Sequence, residues 1–169
     1  LIRFSWIDYE MPFDTASLKP GDTLLYSPGH SLFSLLISIK TWNSISHCEC
    51  YIGDNKSVAS RDGKGVGLYD LRLGGLKYVL SPPPEFSLLE AMRWFDGVKG
   101  QKYDWLGLLR FSWSSAYVPG KLTENKMFCS EFLSRFYNKG GWMIFNDVDC
   151  DSIAPCNFLL APFVKRVKL

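Results

Sequence analysis

The amino-acid sequence predicts an α+β protein in which an antiparallel sheet packs against a helical layer. Short apolar runs bounded by glycine, proline, serine and asparagine fill the first half of the chain, whereas most of the second half has apolar residues at helical spacing. Between the halves lies Ser81-Pro82-Pro83-Pro84, which must be extended and reads as a connector rather than a domain boundary. With 169 residues, 47% of them hydrophobic and 21% charged, the chain suits a single core and one domain spanning 1–169.

Taken in order, Thr23–Tyr26 follows a Pro20-Gly21-Asp22 turn and precedes the breaker Pro28-Gly29, which predicts a short buried strand. The stretch 32–40 carries apolar residues at 32, 33, 35, 36, 37 and 39, more than one helix face, and predicts a largely buried helix. His47–Ile52 reads as a strand running into the tight turn Gly53-Asp54-Asn55, with His47, Glu49 and Tyr51 on one face and Cys48, Cys50 and Ile52 on the other. An amphipathic helix is expected over Phe86–Val98, stopped near Gly97 and Gly100, and a short second one over Tyr103–Leu109. A third begins at Met127 or Phe128 and ends at Gly140-Gly141, which puts Cys129 in its first turn. Lys165–Lys168, alternating with Phe163, reads as a last strand with an exposed basic face.

Composition removes several function classes. A net charge of +2, from 19 basic and 17 acidic residues, offers no broad surface for nucleic acid. No apolar run reaches the length of a membrane span, and the N-terminus has no basic-then-apolar signal layout. Because the sequence opens on Leu1 rather than Met, a processed or trimmed product is expected. Five cysteines, at 48, 50, 129, 150 and 156, are an odd number without C-x-x-C spacing; neither a disulfide framework nor a zinc site is expected, and a reducing compartment is the simplest setting. Aromatic residues at 15% are dense enough to fill a core and line an apolar groove; Trp105, Phe111 and Trp113 are assigned to the core.

Chemistry concentrates at Cys129. A cysteine in the first helical turn lies near unpaired backbone N–H groups and the positive end of the helix dipole, which favour the thiolate and can also hold a developing oxyanion. The bland alternative is a small buried thiol. Only His30 and His47 can serve as base; His30 sits in a loop after Pro28-Gly29, whereas His47 opens a strand, the more rigid support. Asp104 reads as a helix N-cap, and Ser112, Ser114 and Ser115 as loop residues.

Four further segments stand in a recognisable order: Gly21-Asp22-Thr23-Leu24-Leu25-Tyr26 leading to Ser46-His47, then Gly100-Gln101-Lys102-Tyr103-Asp104, then Phe128-Cys129-Ser130-Glu131, then Pro155 through Pro162. In these the chain resembles the circularly permuted NlpC-type papain-like proteins, the YiiX-like group related to lecithin retinol acyltransferase. The resemblance implies a permuted papain-like fold, with histidine before cysteine and the cleft between the Cys129 helix and the His47 strand. It implies Cys129 as nucleophile and His47 as base, in a reaction that needs no metal or organic cofactor. It also implies a substrate that is either a peptide or amide of bacterial cell wall, in a bacterial or bacteriophage setting, or an acyl lipid. Tyr103 is a cleft residue by the same resemblance. The chain departs from the pattern at the histidine-orienting acid, whose place on the next strand falls on Ala59; Ser60 or Ser57 is the candidate to take over, and Glu49 the candidate to touch substrate. With the acid missing, the alternative is an inert papain-like module in a larger assembly.

Overall fold

The computed structural model describes residues 14–29, 32–105, 125–146 and 148–168. Its centre is a six-stranded antiparallel sheet of β1 (Thr23–Tyr26), β2 (His47–Gly53), β3 (Lys56–Arg61), β4 (Gly65–Asp70), β5 (Leu76–Ser81) and β6 (Lys165–Lys168), in spatial order β4-β3-β2-β1-β5-β6. The helices are α1 (Leu32–Thr41), α2 (Leu88–Val98) and α3 (Cys129–Lys139). This is the expected α+β arrangement.

The local causes are legible. Asp54 and Asn55 both take positive φ, 49° and 54°, the geometry of a two-residue hairpin turn whose twist matches that of its strands, and they join β2 to β3. At α2 the Ser87 side chain caps the helix by accepting from the Glu90 N–H, which satisfies one orphan donor of the first turn. Tyr137 on α3 donates its hydroxyl to the Gly21 carbonyl at 2.8 Å, tying the helical layer to the turn before β1.

The strand period sorts the sheet into two faces. Leu25, Cys48, Cys50, Val58 and Leu80 meet α2 and α3 through Ala91, Phe95, Phe132, Leu133 and Phe136, in the main apolar core. Leu24, Tyr26, Tyr51 and Val79 point the other way, to a smaller cluster with Leu18 and Leu76. Phe132 and Phe136 are completely buried, each contributing about 1.5–3 kcal/mol through area removed from water. Register places Tyr26 opposite His47 and Leu25 opposite Cys48, so adjacent residues of β2 look into different clusters.

Three expectations need correction or extension. Among the described side chains of α1, Ile37 is buried as expected, but Leu35 and Ile39 stand half or more exposed. Strands β4 and β5 were not expected: Gly65 and Gly67 mask the alternation of one, and Leu76–Ser81, bounded by Gly74-Gly75 and Pro82, carried a signal that went unread. Of the helix expected over Tyr103–Leu109, the part beyond Trp105 lies outside the described residues, as do His30, Phe111, Trp113 and the serines at 112, 114 and 115. The Asp104 cap depends on that part too. Trp105 is partly buried and packs beside Ile37, Tyr103 and Phe128.

Gly65 joins the sheet to the segment that delivers Tyr103. It sits at φ +80°, and a Cβ there would lie 2.1 Å from the Gln101 carbonyl oxygen, an atom of the backbone that accepts from Val66 N–H at 2.8 Å. Neither partner can retreat without breaking that bond. Gly65→Ala therefore costs about 2–4 kcal/mol, adding left-handed strain to overlap, and thermal denaturation reads it as a clear fall in Tm.

Candidate active site

Three side chains meet where β2 starts and α3 begins. Cys129 is the first residue of α3, whose N-cap, Phe128, has extended backbone and makes no side-chain capping bond. The N–H groups of this first turn are thus not used up by a capping side chain. Cys129 is 1% exposed, on the sheet-facing side of the helix. His47, the first residue of β2, lies close enough for its ring to draw the Cys129 thiol downward. Cys48, through its thiol and its backbone, also lowers the Cys129 thiol. Tyr103 is near enough for the Cys129 charge to help raise its hydroxyl, after burial.

The other partner of His47 is Glu49. Its Oε1 lies 2.9 Å from His47 Nε2. Glu49 is completely buried and every lone-pair direction is used: Ser57 Oγ donates to Oε2 at 2.6 Å, Arg61 Nε to Oε1 at 2.9 Å and Arg61 Nη2 to Oε2 at 2.8 Å. Arg72 Nη2 stands 3.5 Å from Oε1. A carboxylate so placed can only accept, so Nε2 carries the proton and Nδ1 is the nitrogen left for the sulfur.

The electrostatics follow from this geometry. Burial alone would push the Glu49 carboxyl up, but the hydrogen bond and charge of His47, then those of Arg61, hold it well below the usual range. Burial alone would push the His47 imidazole down; the Cys129 charge and hydrogen bond, helped by Glu49, instead raise it to about 9. The Cys129 thiol is drawn well below its ordinary value, first by the hydrogen bond from Cys48, then by His47 against the opposing effect of burial. Both shifts run in the direction that favours a thiolate–imidazolium pair, with the buried Glu49 carboxylate beside the ring.

Cys48 supplies this pair with a donor that sequence reasoning missed. Its own thiol is pushed up by burial and by the Cys129 charge, so it stays protonated and donates. Cys48→Ala removes one donor from the thiolate, moving the midpoint of Cys129 alkylation upward and slowing labelling at pH 6 several-fold, at a typical worth of about 1 kcal/mol for a hydrogen bond. Mass spectrometry of the Cys129 peptide after timed iodoacetamide exposure reads that change.

Strand period explains the remaining placements. Ser60, expected to orient the imidazole, shares the helix-facing side of β3 with Val58, and its hydroxyl donates to the Met127 carbonyl at 2.5 Å. It anchors the chain just before Cys129 and does not orient His47. Ser57, the other candidate, faces the opposite side and holds Glu49 rather than the ring. Glu49, expected at the substrate, is the residue that orients His47. Cys50 pairs with Val58 across β2 and β3, so Glu49 and Ala59 are the next neighbours along the ladder. The carboxylate that the resemblance places on β3 at Ala59 therefore stands one strand over, on the same face. Arg61 shares that face by the two-residue period from Ser57, a signal the sequence did carry. Arg72, beyond β4, had none.

A cleft of about 600 Å³ opens beside His47, lined by Tyr26, Ser46, Arg61, Lys64 and Tyr103 among others, with Cys129 buried behind that lining. Tyr103 thus reaches the cleft as expected. Among the described residues no group of three or more His, Cys, Asp or Glu could hold a metal ion, and no helix is long and apolar enough to cross a membrane. No protein-family model matches the chain, and no curated protein matches it.

Proposed function

We propose that this chain is a cysteine-dependent amidase or peptidase of permuted papain-like architecture, working through an acyl-enzyme on Cys129. The observation that carries the reading is His47, 2.9 Å from the buried Glu49 carboxylate and near enough to Cys129 to draw its thiol downward. Three groups poised in that order form the nucleophile, base and orienter of an acyl-transfer site, whichever order they take along the chain.

The chemistry follows. The Cys129 thiolate attacks the carbonyl carbon of the scissile amide, and the negative charge that develops on oxygen is met by N–H groups of the first turn of α3. As the tetrahedral species collapses, the C–N bond breaks and His47 gives its proton to the departing amine. Water then enters, His47 takes one of its protons, and hydroxide attack on the thioester releases the acid and regenerates the thiolate. Glu49 stays ionised throughout, fixing the ring and offsetting its charge. No metal or organic cofactor takes part in these steps.

Cell-wall peptides are the first choice of substrate, on the resemblance of the four motif segments. Acyl lipids are the second reading, and one observation favours them. Leu35 and Ile39 stand one turn apart on α1, whose Ile37 lines the cleft, and Trp42 follows just past its end; they are 50%, 61% and 95% exposed. Such an apolar stripe suits the edge of a lipid surface.

The test is acyl trapping. Purified protein mixed with p-nitrophenyl acetate releases a stoichiometric burst of p-nitrophenol and carries the acetyl group on Cys129 by mass spectrometry; Cys129→Ala gives neither. Release of fragments from cell-wall stem peptides then selects the first substrate class, and release of fatty acid from phosphatidylcholine vesicles the second. No burst and no adduct means an inert module.

A further inference from the structure

We infer that the cleft beside His47 contains an anion-binding subsite, formed by Lys64, Arg72 and the Ser46 hydroxyl, and that the acyl substrate carries a carboxylate or a phosphate there. The inference rests on Cys129 being the nucleophile that this cleft serves.

Three cations line the cleft, Arg61, Lys64 and Arg72, against the single carboxylate of Asp62. They are not equivalent. Arg61 is committed, with two short hydrogen bonds to Glu49 and little exposure. Glu49 in turn has its hydrogen-bond directions taken by His47, Ser57 and Arg61, which leaves no short hydrogen bond for a second guanidinium. Arg72 makes only the long 3.5 Å approach to it. Its guanidinium lies 4.4 Å over the Tyr26 ring, and the side chain is 46% exposed. Stacking engages the face of the guanidinium and leaves donors at its edge, the geometry that grips a carboxylate or phosphate. Lys64 is exposed and enters no ion pair among the described residues. Cations outnumber carboxylates along the cleft lining, so its field favours an anion.

Ser46 is the second, independent sign. It lines the same cleft next to His47 and is 2% exposed, yet its hydroxyl has no hydrogen-bond partner among the described residues. A buried hydroxyl left unpaired is unfavourable, and a substrate oxygen in the cleft repairs it. The backbone N–H of Ser46 is already used, donating to the Tyr26 carbonyl at 3.0 Å, so the residue is fixed in place while its side chain stays available.

Paired alkylating reagents test this on the intact protein. Iodoacetate and iodoacetamide perform the same step, in which the Cys129 sulfur bonds to the methylene carbon and iodide leaves, but only iodoacetate carries a negative charge. The ratio of their Cys129 rate constants, followed by mass spectrometry at pH 7 and low salt, should exceed the ratio for free cysteine. It should drop about threefold in Lys64→Gln and again in Arg72→Gln, as expected for one screened charge at cleft distances, and shrink as salt is raised. Lys139→Gln removes the same charge from the far end of α3 and should not move it. Protection of Cys129 from iodoacetamide by succinate assigns a carboxylate, and protection by inorganic phosphate a phosphate. Fast iodoacetamide labelling with a ratio indifferent to Lys64 and Arg72 overturns the subsite and leaves the nucleophile standing. Slow labelling by both reagents, indifferent to His47, removes the nucleophile and the subsite together.

Discussion

His47→Ala lowers the rate of amide hydrolysis through Cys129 by about 10²–10⁴-fold at pH 7, the range expected when a positioned general acid–base is removed. Two losses combine. Without the imidazolium, the buried Cys129 thiol loses the charge and hydrogen bond that help keep it ionised, and burial drives it back toward the neutral form. The departing amine also loses its proton donor. The pH profile distinguishes these effects. In the intact protein the amidase rate rises with Cys129 ionisation on the acid side and falls as His47 loses its proton near pH 9. In His47→Ala the alkaline fall disappears, since no group is left whose protonation aids departure. An activated ester, which needs no proton on its leaving group, keeps its rate above pH 9 in the intact protein. Kinetics with both substrates over pH 5–10 check this pair of expectations.

Glu49→Gln is the second large effect. The substitution keeps the shape of the side chain but leaves Arg61, only 18% exposed, facing a neutral amide in a buried setting. Breaking a buried ion pair from one side costs about 3–5 kcal/mol. Urea denaturation followed by tryptophan fluorescence measures the loss. The pH dependence carries a definite sign. Because the folded carboxyl titrates well below the ordinary 4.5, its stabilisation is fully present above that pH and is lost as pH falls toward the folded value. Glu49→Gln therefore flattens the acid limb of stability and leaves the limb above pH 5 parallel to that of the parent. Cysteine chemistry suffers as well, by on the order of 10²-fold in acylation, since the ring loses the acceptor that fixes its tautomer.

The position of Glu49 also makes a rescue possible. Glu49 and Ala59 are cross-strand neighbours on one sheet face, so the double change Glu49→Ala with Ala59→Glu moves the carboxylate back to β3. It should recover at least tenfold of the rate lost in Glu49→Ala alone. A substrate-binding role for Glu49 predicts no such recovery.

What could be read from the sequence was what depends on local period and local caps. The turn at Asp54-Asn55, the faces of β2 and the placing of Cys129 in the first turn of α3 all follow from residues within a few positions of one another, although the helix starts at Cys129 rather than at Met127 or Phe128. The site was legible to the same extent. His47 and Cys129 stand out because each sits at the start of an element with a chemical reason to be there. The roles of Glu49 and Ser60 were misread because they depend on which face of β3 meets β2, and one residue of offset sends a side chain to the opposite layer. Cys48 was missed for a related reason: its face could be named, but not the identity of the side chain packed against it. Arg72 belongs to the site only through the fold, since it follows β4 and meets Tyr26 from a loop 46 residues away in sequence. Helix α1 illustrates the limit of composition, because an apolar run does not say how much of it finds a partner.

The most direct test of the thiolate–imidazolium pair is the pH dependence of Cys129 alkylation by iodoacetamide, in the intact protein and in His47→Ala, with the labelled residue identified by mass spectrometry. An activated pair gives fast labelling of Cys129 already at pH 6, with a midpoint far below the ordinary thiol value of about 8.5, and in His47→Ala a midpoint moved to that value or above it. Labelling of Cys129 that stays slow below pH 8 and does not change when His47 is replaced would contradict the pair, and with it the proposed chemistry.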